Sequence, residues 1–171
     1  MKKKSVRIIL ITLGVLILLA GGGLAYYRLS RIQGTIEASA INATLKGQEV
    51  PQVVVYTQDR TFKNEVMDKV TAAAEGQQIY LEIQPIEDLQ DSTQAWDKVI
   101  LFTTVMSSEP PENALDFINA HKEDEKVAIF LTADSSRWAH QPSDVDAFTG
   151  ASSNSGNVDV FADKMLAFMD L

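Results

Sequence analysis

Three kinds of hydrophobic pattern follow one another along the chain. The first is unbroken: Ile8 to Tyr27 is an apolar run of about twenty residues with no charge in it, enough to cross roughly 30 Å of hydrocarbon as a helix. The second, Arg28 to Val50, is polar and rich in small residues, among them Ser39, Ala40, Asn42, Ala43, Thr44, Lys46 and Gly47. It reads as a linker, with room for a short helix around Ile36 to Leu45. In the third, from Pro51 onwards, short apolar runs alternate with amphipathic stretches. The chain thus divides into a basic segment 1–7, a membrane-spanning segment 8–27, a linker 28–50 and a folded domain 51–171.

Within the domain, Val53-Val54-Val55-Tyr56 is a β-branched run that predicts a buried strand. After the polar turn Thr57-Gln58-Asp59-Arg60, Phe62, Val66, Val70 and Ala73 share one helical face, and Gly76 ends that helix. Ile79, Leu81 and Ile83 alternate with Tyr80 and Glu82, which predicts a second strand, half-exposed and near an edge. Val99 to Phe102 is continuous and apolar, hence a central third strand. Ser107, Ser108 and Pro110-Pro111 open the next helix, whose inner face is Leu115 and Ile118 with Ala114. Val127 to Leu131 predicts a fourth strand and Val145 to Thr149 a short fifth. Val158, Phe161, Met165 and Met169 mark a closing helix. Such alternation implies an α/β domain, a doubly wound parallel sheet of about five strands. The stretches Pro85 to Asp97 and Thr132 to Asp144 are too short or too irregular to add full covering helices.

Charge sharpens the division. The formal net charge is −8, yet six of the fifteen basic residues lie at or before Arg31, where no acidic residue occurs. The remainder holds nine basic and twenty-three acidic residues, a formal charge of −14. Nucleic acid and anionic lipid surfaces would repel it. Four basic residues precede the apolar run and two follow it, which predicts a cytoplasmic N-terminus and an extracytoplasmic domain on a single-pass signal-anchor. A cleaved signal peptide competes with that reading through Gly23-Leu24-Ala25. The length of the run favours the retained anchor. The absence of cysteine removes disulfides, thiolate chemistry and lipoprotein modification.

The motifs that carry chemistry are sparse. His121 and His140 are the two histidines, and neither lies in a metal-ligand spacing. Asp134, Asp144 and Asp146 read as solvated turns rather than a cation site. No serine sits in a G-x-S-x-G elbow. Asn42-Ala43-Thr44 is formally a glycosylation sequon. No residue is nominated as catalytic or as a metal ligand.

One resemblance adds to this. Trp96 to Thr104, followed by Glu109-Pro110-Pro111 and the helix through Phe117-Ile118, resembles the middle of flavodoxin-family proteins. Lys126 to Thr132 is similar to the strand that follows, and Val145-Asp146-Ala147-Phe148-Thr149-Gly150-Ala151-Ser152 resembles a segment of small flavodoxin-like proteins. The resemblance covers most of Val53 to Leu171 and implies a flavodoxin-like fold with its ligand at the carboxyl ends of the strands. It also implies flavin mononucleotide (FMN) as the cofactor to be tested. Family members hold its phosphate in a T-x-T-G-x-T loop, where amides and hydroxyls point at the anion. Here that loop reads Thr57-Gln58-Asp59-Arg60-Thr61-Phe62, with a carboxylate at the second hydroxyl position and arginine in place of glycine. The cofactor-binding candidates are Thr57, Arg60 and Thr61 in this loop, Thr103 and Thr104 after the third strand, and Trp138 as the one stacking platform. For Thr57, Arg60 and Thr61 the competing reading is a helix N-cap with a solvated arginine. Two functions follow: a membrane-anchored, non-catalytic module that binds a ligand or partner, or an FMN-binding electron carrier serving a membrane protein.

Overall fold

The computed structural model describes residues 2–32, 35–106, 109–135, 137 and 145–171. They fall into two units, Met1–Gln33 and Gly34–Leu171. The first is one long helix, α1 (Lys2–Ile32). Its stretch Ile8–Tyr26 has a mean hydropathy of 2.6 and buries none of its side chains. At 1.5 Å per residue that stretch is about 28 Å long, enough to cross a bilayer. A signal sequence has the same character.

The second unit is a sheet with helices on both faces. Its elements are β1 (Ser39–Ile41), β2 (Gln52–Thr57), α2 (Thr61–Ala74), β3 (Tyr80–Pro85), β4 (Lys98–Thr104), α3 (Glu112–His121), β5 (Val127–Ala133), β6 (Phe148–Ala151) and α4 (Asn157–Met169). The strand order is β1-β3-β2-β4-β5-β6. Five strands run parallel, and β1 pairs antiparallel with β3, Ala40 opposite Glu82.

Strand β1 corrects two expectations. It lies inside the stretch expected to be linker, so the sheet begins at Ser39 rather than after Pro51, and no helix forms over Ile36 to Leu45 beyond a single turn at Ala43–Leu45. It also covers the outer side of β3, which lies next to the edge but is not half-exposed: Tyr80, Leu81 and Ile83 are buried. Three residues carry little hydrophobic signal, so a strand recruited by pairing alone is invisible to periodicity.

Alternation along β2 sorts the core. Val53 and Val55 join Phe62, Val66, Val70, Phe102, Phe130, Phe161 and Met165 on the face covered by α2 and α4. Val54 and Tyr56 join Val99, Leu101, Phe117, Ile118, Ile129 and Leu131 on the face covered by α3. Phe161 is the hub of the first cluster, with ring centroids of Phe148, Phe62 and Phe102 at 4.7, 5.4 and 5.7 Å. Each such pair contributes about 0.5–1.5 kcal/mol beyond area burial. Gly150 makes room for it: a Cβ there would stand 2.6 Å from Phe161 Cε2.

Helix faces depart slightly from expectation. Ala74, not Ala73, completes the α2 face, and Phe117 takes the place expected for Leu115, which is only half-buried. The last strand starts at Phe148, although Val145 is buried against the α3 side. Gly76, at φ +74° just beyond the α2 C-cap, takes the left-handed conformation that favours glycine. Between β3 and β4 only Ile86–Asp88 is helical. There the loop lays Trp96 flat on Tyr80, centroids 6.3 Å apart, in place of a helix.

Candidate functional site

The chain leaves β2 for β3 on one side, and β4, β5 and β6 build outward on the other. The crevice beyond the carboxyl ends of β2 and β4 is therefore the point where the winding reverses, the place where open α/β sheets bind ligands. Four of the candidate residues stand there. Thr57 ends β2, Thr103 and Thr104 end β4, and Thr61 opens α2.

What fills the crevice is Gln58. Its side chain is wholly buried, and its Oε1 accepts from the Thr104 amide at 3.1 Å and the Thr103 hydroxyl at 3.4 Å. The amide at the end of β4 is thereby satisfied from within the protein. Arg60 is exposed at the N-cap of α2, in extended conformation (φ −142°, ψ 136°), and its side chain makes no capping hydrogen bond. Its carbonyl takes the first helical hydrogen bond, from Asn64 N at 2.8 Å. Asp59 turns outward, accepting from Asn64 Nδ2 at 2.8 Å. Thr61 is exposed. Beyond β4, Met106 and Glu109 exchange backbone hydrogen bonds of 2.9 and 3.3 Å.

Sequence reading passed over the most unusual group nearby. Lys63, in the first turn of α2, is 1% exposed. Its Nζ donates to Thr132 Oγ1 at 2.9 Å and lies 4.0 Å from the centroid of the Phe102 ring. Among the described residues no carboxylate is within ion-pair distance of it. Burial pushes its pKa well below the usual lysine value, and the like charge of Arg60 pushes the same way. The available signal was positional: Lys63 directly follows Phe62 and stands three residues before Val66, beside the apolar stripe rather than opposite it.

Thr57 is the second unusual group. It is 2% exposed, and its Oγ1 has no hydrogen-bond partner. Buried hydroxyls are nearly always paired, and leaving one unpaired costs about 1–3 kcal/mol.

Other candidates resolve as structure. His121 shares a 2.7 Å hydrogen bond with the Asp91 carbonyl and packs on Phe117. Among the described residues no group of three or more His, Cys, Asp or Glu could hold a metal ion. Trp138, His140 and Asp144 lie outside the described residues, as do Ser107 and Ser108. The sequon residue Asn42 is engaged: its Nδ2 donates to the carbonyls of Ala74, Gln77 and Ile79, and its Oδ1 accepts from Gly76 N.

Numbered among the parallel strands alone, the sheet order is 2-1-3-4-5, the doubly wound order of flavodoxins. The fold is flavodoxin-like. Among solved structures the chain is similar to oxidised flavodoxin 2 from Bacillus cereus, with 16% identity and a TM-score of 0.45 over 70% of this chain and 98% of that one. No family model and no curated protein matches the chain.

The residues of this flavodoxin-like site do not fit an FMN phosphate cradle. Arginine stands where the nest needs glycine. Gln58 occupies the crevice, and Asp59 adds a negative charge to the loop. Among the described residues at and just beyond the end of β4, Thr103 to Met106, none is aromatic. Thr57 keeps a buried hydroxyl with no hydrogen-bond partner.

Proposed function

We propose that this chain is a membrane-tethered flavodoxin-like module that binds a ligand or protein partner without flavin chemistry. The observation that carries the reading is the Gln58 side chain, buried in the crevice and bonded to the Thr104 amide. A flavin ring or phosphate entering there has to displace a satisfied, fully buried amide group, which costs the hydrogen bonds it makes. The apolar stretch of α1 supports tethering. The basic residues before it support a cytoplasmic N-terminus and an extracytoplasmic domain. The acidic remainder of the chain supports protein or small-molecule partners over nucleic acid.

The alternative is an FMN-binding electron carrier serving a membrane protein, favoured by the unpartnered Thr57 hydroxyl at the switch point. Titrating the full chain in non-ionic detergent with FMN, and following flavin fluorescence, separates the two. The proposed reading expects no saturable quenching up to the order of 1 mM, a binding free energy weaker than about 4 kcal/mol. Quenching that saturates at micromolar FMN would install the electron carrier instead. A reporter fused after Leu171 tests topology: activity on the cytoplasmic side overturns the exported placement.

A further inference from the structure

Strand β1 runs antiparallel to β3, Ser39 opposite Ile83 and Ile41 opposite Leu81. The chain therefore joins the sheet at the carboxyl end of β3 and travels towards its amino end. The junction is pinned: Thr35 Oγ1 donates to Glu87 Oε1 at 2.8 Å, in the turn that directly follows β3. Ile36 packs against the core cluster on the α2/α4 face. Strand β2 pairs in parallel with both β3 and β4, so all three end on the same side. The point where the chain joins the domain and the switch-point crevice thus share one end of the sheet. A strand laid parallel to β3 would have joined it at the other end, about 20 Å away along six residues.

The pinned junction also shortens the tether. A linker from Arg28 to Val50 would hold twenty-three residues and, fully extended, would span roughly 80 Å. With Thr35 and Ile36 bonded to the domain, only Arg28 to Gly34 separate it from the apolar run. Helix α1 extends to Ile32, and helical residues rise only 1.5 Å each. The span from Tyr27 to Thr35 is then at most about 20 Å, a bound set by chain length that holds for any direction of α1. A soluble protein of even 100 residues, with a radius of gyration near 13 Å, is about 30 Å or more across. It does not fit in a layer that thin, whereas an extracytoplasmic loop of a membrane-embedded protein does. The formal charge of −14 beyond Arg31 disfavours anionic headgroups and favours a basic loop.

We propose that the carboxyl end of the sheet, with the crevice between β2 and β4, is the membrane-facing interaction surface of the domain, and that its partner is a basic extracytoplasmic loop of an integral membrane protein. This placement rests on the tethered, exported reading and supplies that reading with a surface and a partner class.

The chain has no cysteine, so a single introduced thiol reports one position. Asp88→Cys and Ser153→Cys put an exposed label at the carboxyl end, after β3 and β6; Gln78→Cys and Glu125→Cys put one at the amino end, before β3 and β5. With the full chain in phosphatidylcholine vesicles, energy transfer to a headgroup-labelled lipid should be several-fold greater from both carboxyl-end sites than from both amino-end sites. Inserting about twenty Gly/Ser residues after Gln33 adds roughly 25 Å of reach and should erase the difference. Equal transfer from the two ends, or greater transfer from the amino end, overturns the placement. In native membranes, a photo-crosslinker on the carboxyl-end thiols should give adducts that mass spectrometry assigns to a Lys/Arg-rich extracytoplasmic loop of a membrane-spanning protein. A soluble partner, or no adduct from either carboxyl-end site, overturns the partner. Chain recovered free of native membranes and shortened by the apolar run defeats tethering and the placement together. Chain retained in the membrane with equal transfer from both ends defeats the placement alone.

Discussion

The two ends of β2 are built on opposite terms. At its amino end the polar groups of Gln52 all have partners. Gln52 N donates to Asp97 Oδ2 at 2.9 Å, and its side chain accepts from Gly47 N and donates to the Leu45 and Val50 carbonyls. Asn42, beside the start of β3, serves three carbonyls and one amide. At the carboxyl end Thr57 Oγ1 has no partner and a buried lysine has one hydroxyl. Satisfied polar networks hold a scaffold in one arrangement, whereas unsatisfied buried groups cost stability and persist where something else uses them. The difference sets a satisfied amino end against an unsatisfied carboxyl end.

The strongest way to break that comparison is at Asn42. Alanine there removes four hydrogen bonds and forces a left-handed backbone (φ 54°) on a residue that disfavours it. We expect Asn42→Ala to destabilise the domain by about 3–4 kcal/mol, read as a lower urea midpoint at unchanged slope. Asn42→Gly removes the same bonds without the backbone strain and should recover about 1 kcal/mol of that loss. Equal losses in both variants would assign the whole effect to hydrogen bonding. A negligible loss in either would show that the amino end does not hold the scaffold as described. The same engagement predicts that the Asn42 sequon is not glycosylated in the folded protein, which mass spectrometry after secretion from a eukaryotic host checks.

At the carboxyl end the sign reverses. Lys63→Met keeps much of the side-chain volume, removes a buried group with no counter-charge, and leaves Thr132 its 3.4 Å bond to the Thr103 carbonyl. We expect it to stabilise the domain by about 2 kcal/mol. A loss of stability instead would mean that the amine is structural glue. The pH dependence follows from the same group. Its folded pKa lies well below the unfolded value of 10.5, so between the two the unfolded chain binds the extra proton. Stability therefore falls as pH is lowered from about 10.5 towards the folded pKa, and is level below it. Lys63→Met should lack that component, so the wild-type-minus-variant difference in unfolding midpoint should grow as pH falls. A difference independent of pH would place a full charge on the folded amine throughout.

Periodicity made most of this scaffold legible and almost none of its site. Val53–Tyr56, Val99–Phe102 and Val127–Leu131 announce strands because buried parallel strands are apolar on both faces, and α2 and α4 announce themselves at helical spacing. Strand β1 escaped because Ser39-Ala40-Ile41 has no pattern of its own and is recruited by β3. The loop Thr57 to Thr61 was found through its place after the first parallel strand, and Thr57, Thr103 and Thr104 are brought together at the switch point. Yet Gln58 looked like any turn residue, and nothing local says that its amide crosses to β4. Lys63 looked like surface, because a single lysine beside an apolar stripe is usually solvated through its flexible stem. Its burial is a tertiary fact, set by where Phe102 and Thr132 lie.

Helix α2 carries its own control for that last point. Lys69 lies six residues after Lys63 and pairs with Asp159 of α4 at 2.9 Å, both side chains largely in solvent. Its pKa is raised, chiefly by the hydrogen bond to Asp159, the opposite direction from Lys63 on the same helix. An exposed pair of this kind adds little, because water screens the attraction and two long side chains lose freedom in making it. Lys69→Met should therefore leave the urea midpoint within experimental error and not alter its pH dependence. Should Lys69→Met instead match Lys63→Met in sign and size, the gain would reflect the higher apolar content of the helix or the changed net charge. The contrast between a satisfied and an unsatisfied end of β2 would then lose its main energetic support. If only Lys63→Met shifts the midpoint, burial without a counter-charge is the operative difference between two otherwise identical side chains.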